Sequence, residues 1–452
     1  WPEREVVHVD AHRVWCEDEH TIARLQQRDT PTATHTMLAI EDVLGRQTHT
    51  TRLAGRILTT EEHNAAVFET LGRFGVDPRW LVYLPPTMSP CSTSTIEGYL
   101  EHPTEAMEDY AAMGQQKIVA QLKHMGSRAI AVVLREPEVA QRRFGFSSPQ
   151  QGVIMTRTGR RFFSTDARKE EALLEVIREA ITRAGLWEEL DTDWLCLDGE
   201  LMPWNAKAQE LLTRQYAPVA VAARRGLSSV VRALEGAFEA RGESVEGLDT
   251  LLQTQRERLN HASRLSDVYR PYCWPVQELQ DYKFAFFHVL AGERGVYLDE
   301  ETPHTRHMAW IARMSEADRT GIVRATPHRE VDLEDATSRQ ALVSWWEELT
   351  GAGAGYEGLV LKPLTPIAYR PDEASNRRMI QPAIKCRGKE YLRLIYGPEY
   401  DLPGNLERHR KRSLKRKQQL ALKEFALGHE ALESFVKREA LRTTHRHAFA
   451  VL

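Results

Sequence analysis

The sequence predicts an α+β fold: a strand-built core, a helical block inserted within it and a helical segment behind it. Two observations carry this. β-branched or apolar stretches of strand length recur near residues 117–134, 194–201, 284–290, 356–363 and 383–387, bounded by Gly, Pro or charged positions. Residues 206–268, by contrast, are rich in Ala, Leu, Arg, Glu and Gln, with no Pro after Pro218 and few β-branched positions, a composition that favours helix.

Residues 1–50 are mixed and polar, and the stretch from Asp29 to Thr36 reads as loop. Asp10-Ala11-His12 has the form of half a binuclear phosphoesterase site; the other half is missing, and we read it as structural. Thr60 followed by Glu61 and Glu62 is a capping signature for a helix running to Phe74. Pro85 to Pro90 is a turn-rich loop. Lys117–Leu122 and Arg128–Leu134 are strands around a tight turn at His124–Ser127. Residues 166–186 form a helix with Leu173, Leu174, Val176, Ile177 and Ile181 on an apolar stripe. Strands follow at 194–201, 284–290, 356–363 and 383–387, a helix at 336–349, and helices again over 404–446. The glycine run 351–355 lacks the Gly-Lys-Ser/Thr of a phosphate loop and reads as a turn. The organisation expected is a lead-in (1–50), a core in two parts (51–205 and 271–400), a helical insertion (206–270) and a basic C-terminal helical module (401–452).

Net charge is −4, so the chain as a whole makes no case for nucleic acid; the run Arg408, Arg410, Lys411, Arg412, Lys415, Arg416, Lys417 does so locally. A solvated helix face is the plain alternative for that run. No apolar run approaches the roughly 20 residues a membrane helix needs. The five cysteines are scattered and form no Cys-x-x-Cys pair, which argues against a zinc site or a disulfide framework and for a reducing cytoplasm. Residue 1 is Trp, and we expect a piece of a longer protein.

The chemistry lies in five segments in one order: Lys123-His124-Met125-Gly126-Ser127-Arg128, Asp198-Gly199-Glu200, Phe287-His288-Val289-Leu290, Glu357-Gly358 with Lys362, and Lys385 with Arg387. Together they resemble the covalent nucleotidyltransferase superfamily of ATP-dependent ligases and capping enzymes. There, the lysine of a Lys-x-Asp-Gly-x-Arg motif takes the nucleotide. Met125 stands where most relatives have Asp, and this variant is similar to the ligase module of bacterial polynucleotide kinase-phosphatases, which are RNA-repair enzymes. Further stretches fit that subfamily, among them Asp77–Pro90, Glu101-His102-Pro103, Asp198–Ala208 and Ile384–Arg393.

The resemblance runs from about residue 50 to the C-terminus. It implies an antiparallel-sheet, ATP-grasp-like DNA/RNA ligase core. It implies ATP as cofactor with Mg²⁺ or Mn²⁺, and RNA as substrate. Expected partners are a Hen-type RNA 2′-O-methyltransferase and kinase and phosphatase modules of the same polypeptide, with residues 1–50 as the junction to the phosphatase.

Adenylyl transfer needs a neutral amine, and free lysine has a pKa of about 10.4. A divalent metal and the cations Lys362, Lys385 and Arg387 would favour the neutral form of the nucleophile Lys123. Lys362 and Lys385 would then neutralise the α-phosphate in the transition state. Glu357 and Glu200 are hard oxygen ligands for the metal, or ribose partners. By resemblance Arg128 binds ribose or the RNA 5′-phosphate, and Phe287 is the plate on which adenine stacks, an ordinary core aromatic being the alternative. Gln121 stands where relatives often have Glu; its carbonyl can still accept from the adenine amino group, though base selectivity is then open. Glu357 and Lys362 are five apart, and strict strand alternation puts them on opposite faces. A bulge, or a Glu357 that precedes the strand, must reconcile them. A guanylyltransferase or DNA ligase of the same fold and a non-catalytic RNA-binding scaffold are the competing expectations.

Overall fold

Strands from these stretches, joined by two that the sequence did not announce (Gly152–Thr156 and His328–Asp332), assemble into two sheets that meet at the site. The structure is a computed structural model describing residues 7–10, 13–16, 44–241, 245–351, 355–371 and 378–452. The loop expected at 29–36, His12 of Asp10-Ala11-His12 and the middle of the glycine run lie outside the described residues. The principal strands are β1 (Lys117–Lys123), β2 (Ser127–Leu134), β3 (Gly152–Thr156), β4 (Trp194–Met202), β5 (Lys283–Gly292), β6 (His328–Asp332), β7 (Gly358–Pro363) and β8 (Ile384–Arg387). The principal helices are α1 (Glu61–Phe74), α2 (Pro103–Ala112), α3 (Ala167–Arg183), α4 (Ala217–Arg241), α5 (Leu248–Tyr269), α6 (His304–Ala317), α7 (Ala336–Thr350), α8 (Lys389–Tyr396), α9 (Pro403–Arg410), α10 (Lys415–Val436) and α11 (Leu441–Phe449).

The first sheet has the order β6-β1-β7-β8, antiparallel throughout, with the short strand Ser89–Pro90 added parallel to β8. The second has the order β5-β4-β2-β3, also antiparallel, with Gly295–Val296 and Val323–Ala325 on β5. β1 and β2 therefore do not pair with each other. The turn at 124–126 carries the chain from one sheet to the other, and so the segment around Lys123 lies where the two sheets meet.

Side-chain alternation then divides each sheet. In the first, Ile118, Ala120, Leu359, Leu361, Ile384 and Cys386 are buried in one apolar cluster with Met107 and Tyr110 of α2 and Leu342, Trp345 and Trp346 of α7. The register aligns Lys123, Gly358 and Arg387 across the opposite face, and next to them Gln121, Val360 and Lys385. In the second sheet, Ala129, Ala131 and Val133 pack with Leu173, Leu174, Ile177 and Ile181 of α3 and Met308, Ile311 and Met314 of α6. The other face, Ile130, Val132 and Leu134, packs with Phe425, Leu427, Leu432 and Phe435 of α10.

Thr60 caps α1, its hydroxyl accepting from the His63 N–H. The inserted helices α4 and α5 pack on α8 through Ala220, Leu265, Val268, Tyr391 and Leu394, and Met125 joins that apolar cluster partly buried. The sulfur side chain at 125 thus has a packing role that a carboxylate would not fill. The basic run is not one helix: Arg408 and Arg410 end α9, residues 411–414 break it, and Lys415 begins α10. No helix of the described residues is long and apolar enough to cross a membrane.

Candidate active site

The pocket between the sheets is lined by Gln121, Lys123 and His124 from β1 and its turn, Val360 and Lys362 from β7, Arg128, Asp198 and Glu200 from β2 and β4, Phe287 and His288 from β5, and His304 of α6. Phe425 of α10 and Met88 of the proline-rich loop also line it. Lys123 Nζ lies 2.7 Å from Glu357 Oε1. Glu357 precedes β7 rather than belonging to it, and Gly358 has φ +143°, which re-aims the chain and puts Glu357 beside Lys123 despite the spacing. A Cβ at Gly358 would meet the Cys386 carbonyl oxygen at 2.2 Å, so only glycine fits. Gly126 is similarly constrained: its N–H donates to Glu200 Oε1 at 3.0 Å, and a Cβ there would lie 2.5 Å from the Leu201 carbonyl oxygen.

The opposite wall is a buried polar chain. Arg128 Nε and Nη2 donate to Asp198 Oδ1 and Oδ2 at 2.6 Å each. Asp198 Oδ2 is 3.6 Å from His288 Nδ1, and Lys362 Nζ donates to His288 Nε2 at 3.1 Å. Burial, aided by the Lys362 charge, pushes the His288 imidazole well below its ordinary value, so the ring is neutral and offers a lone pair to Lys362. Burial, with the Arg128 charge adding to it, lowers Lys362 to about 7. Glu200 is raised to about 7 by burial, with the Glu357 charge adding to it and Lys123 opposing.

Phe287 sits at an irregularity in the β5–β4 ladder, between Phe286 opposite Gly199 and His288 opposite Asp198. A bulge of this kind re-aims a side chain. The ring stacks against His124 at 6.3 Å and 22°, with Arg128 Cζ and Lys362 Nζ 5.5 and 5.9 Å from its centroid. Gln121 is buried, its Nε2 donating to Met308 Sδ at 3.0 Å.

The polynucleotide kinase-phosphatase (PNKP) model described as "PNKP adenylyltransferase domain, ligase domain" matches residues 66–452. The chain belongs to this family. It is therefore a ligase-type adenylyltransferase domain. Two solved structures share its fold. A chain of the Pnkp1/Rnl/Hen1 complex aligns at 16% identity and TM-score 0.54, over 81% of this chain and 95% of that one. A chain of the Pnkp1/Rnl/Hen1 RNA repair complex aligns at 16% identity and TM-score 0.56, over 83% and 94%. No curated protein matches.

Of the sequence-predicted residues of this adenylyltransferase domain, Gln121, Lys123, Arg128, Glu200, Phe287 and Lys362 line one pocket, and Glu357 touches Lys123. Lys385 and Arg387 share the sheet face but lie beyond the lining. Lys385 is lowered to about 7 by burial and then by the Arg387 charge. Arg387 is occupied by Glu101, its Nε and Nη2 donating at 3.0 and 2.5 Å. Sequence reasoning did not single out Asp198, His288, His304 or Glu101 for a role. Asp198 and His288 stood inside quoted motifs, yet nothing in their spacing tells that they form a chain to Lys362.

Proposed function

We propose that this domain is an ATP-dependent RNA ligase module that works through a covalent lysyl-AMP. The observation that carries the reading is Lys123: its amine stands at the pocket wall, held by Glu357, and faces Lys362 and Arg128 across a space bounded by an aromatic ring. In the first step Lys123 Nζ gives a proton to Glu357, 2.7 Å away, and as the neutral amine attacks the α-phosphorus; the bond to the bridging oxygen breaks, pyrophosphate leaves, and the nitrogen sheds its second proton to solvent to give the phosphoramidate. Lys362 offsets the charge on the α-phosphate in the transition state. Adenine stacks on Phe287. With its amide nitrogen committed to Met308, Gln121 presents its oxygen to the adenine amino group. In the second step an RNA 5′-phosphate oxygen displaces the lysine and takes AMP. In the third a 3′-OH displaces AMP and the strands are joined.

Glu200 and Glu357 suit a hard divalent cation, Mg²⁺ or Mn²⁺. Two carboxylates crowd there, and Glu200 is held near neutrality partly for that reason. No group of three or more His, Cys, Asp or Glu side chains able to hold a metal occurs among the described residues, so phosphate and water oxygens would complete the shell. When bound, such an ion neutralises phosphate charge. A Hen-type methyltransferase is the partner the reading favours, since the two fold neighbours come from complexes that contain Hen1.

The test is incubation with labelled ATP or GTP, Mg²⁺ and a 5′-phosphorylated RNA. Adenylylated RNA formed from ATP and not from GTP is expected. A protein adduct from GTP alone would make the domain a guanylyltransferase, and transfer to 5′-phosphorylated DNA but not RNA would make it a DNA ligase.

A further inference from the structure

Beside the nucleotide pocket, and sharing Arg128 with it, opens a second cleft of about 850 Å³. Its lining is Arg73, Arg157, Arg160, Arg161 and Lys207 with Arg128, and no carboxylate lines it. Four of these cations have acidic partners: Arg128 with Asp198, Arg157 with Glu424 and Arg161 with Glu170 on buried carboxylates, at 2.6, 3.4 and 3.0 Å, and Arg73 with the exposed Glu69 at 3.1 Å. Arg160 and Lys207 have none among the described residues. They are close enough that the Arg160 charge, after burial, lowers the Lys207 amine. Two unpaired like charges across a cleft repel, and an anion between them removes the repulsion.

The anion is not a small one. Phe74 lines the same cleft, is 56% exposed, and carries Arg160 Cζ 4.8 Å from its ring centroid. An exposed aromatic within a basic groove is a stacking platform for an unpaired base, whereas pyrophosphate has no use for a ring. The cleft also meets the reaction site at Arg128, five residues beyond Lys123.

We infer that this cleft holds the single-stranded RNA whose 5′-phosphate reacts at Lys123, with Arg160 and Lys207 on its backbone phosphates and Phe74 under a base. The inference rests on the ligase reading for the identity of the strand, but its test does not depend on it. Affinity for a 5′-phosphorylated single-stranded RNA is measured by fluorescence anisotropy across a salt series, for the wild type, Arg160→Ala/Lys207→Ala and Phe74→Ala. Loss of two phosphate contacts lowers the slope of log K against log salt by about 1.4. Loss of the stack weakens binding about tenfold at constant slope. A 5′-phosphorylated RNA duplex, whose bases are not free to stack, should lose nothing with Phe74→Ala.

Adduct formation from ATP, read on the same variants by intact mass, is expected to be unchanged and shows that they are folded. Unchanged RNA affinity and slope in the double variant would overturn the inference. A wild type that binds RNA through these residues but gains no AMP would instead remove the ligase reading and leave the cleft standing.

Discussion

Lys362 is buried beside the Arg128 guanidinium, and burial, with that charge adding to it, lowers its amine to about 7; its hydrogen-bond partner is the neutral His288 imidazole. A phosphate brought to Nζ favours the charged form and raises that value again. ATP binding at pH 8 is therefore expected to take up protons, and less so in Lys362→Met. Calorimetry in buffers of different ionisation enthalpy reads this directly; no uptake by the wild type would contradict it. The same shift has a sign for stability. Between about 7 and lysine's ordinary value the unfolded chain binds more protons at this site than the folded one, so ligand-free stability rises with pH across that window. That Gln121, Lys123, Arg128, Glu200 and Phe287 would share a site was legible through the motifs that carry the family resemblance, and all five line one pocket. Asp198 and His288 were not, because their roles come from tertiary neighbours: β5 brings His288 to β4, and β7 brings Lys362 to both.

At the scale of elements, the stretches that became β1, β2, β4, β5, β7 and β8 were legible, whereas β3, β6 and the pairing of the strands were not. β1 and β2 are separated by three residues, a spacing that suggests a hairpin, yet each finds its partner far along the chain: β7 for β1 and β4 for β2. The sequence cue that mattered more was Gly358, whose conformation decides where Glu357 points. Gly358→Ala forces a side chain against β8 and is expected to destabilise the fold by about 2 kcal/mol, read by urea denaturation. A change within about 0.5 kcal/mol, the range of neutral surface substitutions, would contradict it. Lys385 and Arg387 share a face, as their spacing requires, but Glu101 from a distant loop occupies Arg387. No periodicity within β8 announces that.

At the scale of the whole molecule, two of the ties between the C-terminal helices and the core bear on the site. α10 supplies Phe425, Leu432 and Phe435 to the face of the second sheet, and Phe425 reaches the pocket. Glu101, fully buried, accepts from both Arg387 and Arg412. Burial works against its ionisation, but the two arginines together hold its carboxyl below the ordinary range. Glu101→Gln leaves the buried Arg387 and the partly buried Arg412 guanidiniums underpaired and is expected to cost about 3 kcal/mol. Denaturation should show the loss, and a variant as stable as wild type would mean that the pair does not join the C-terminal segment to the core.

The basic run, expected to contact RNA phosphates with a solvated helix face as the alternative, is divided between two helices. Arg410 and Arg412 turn inward, donating to the Tyr99 carbonyl and to Glu101, which leaves Arg408, Lys411, Lys415, Arg416 and Lys417 exposed. The central claim is that Lys123 carries AMP, and the mass of the intact chain after incubation with ATP and Mg²⁺ tests it most directly. A gain of one AMP, lost in Lys123→Ala, is the predicted result; an adduct that persists in Lys123→Ala, or none in the wild type beside a ligase that gains one, would contradict it.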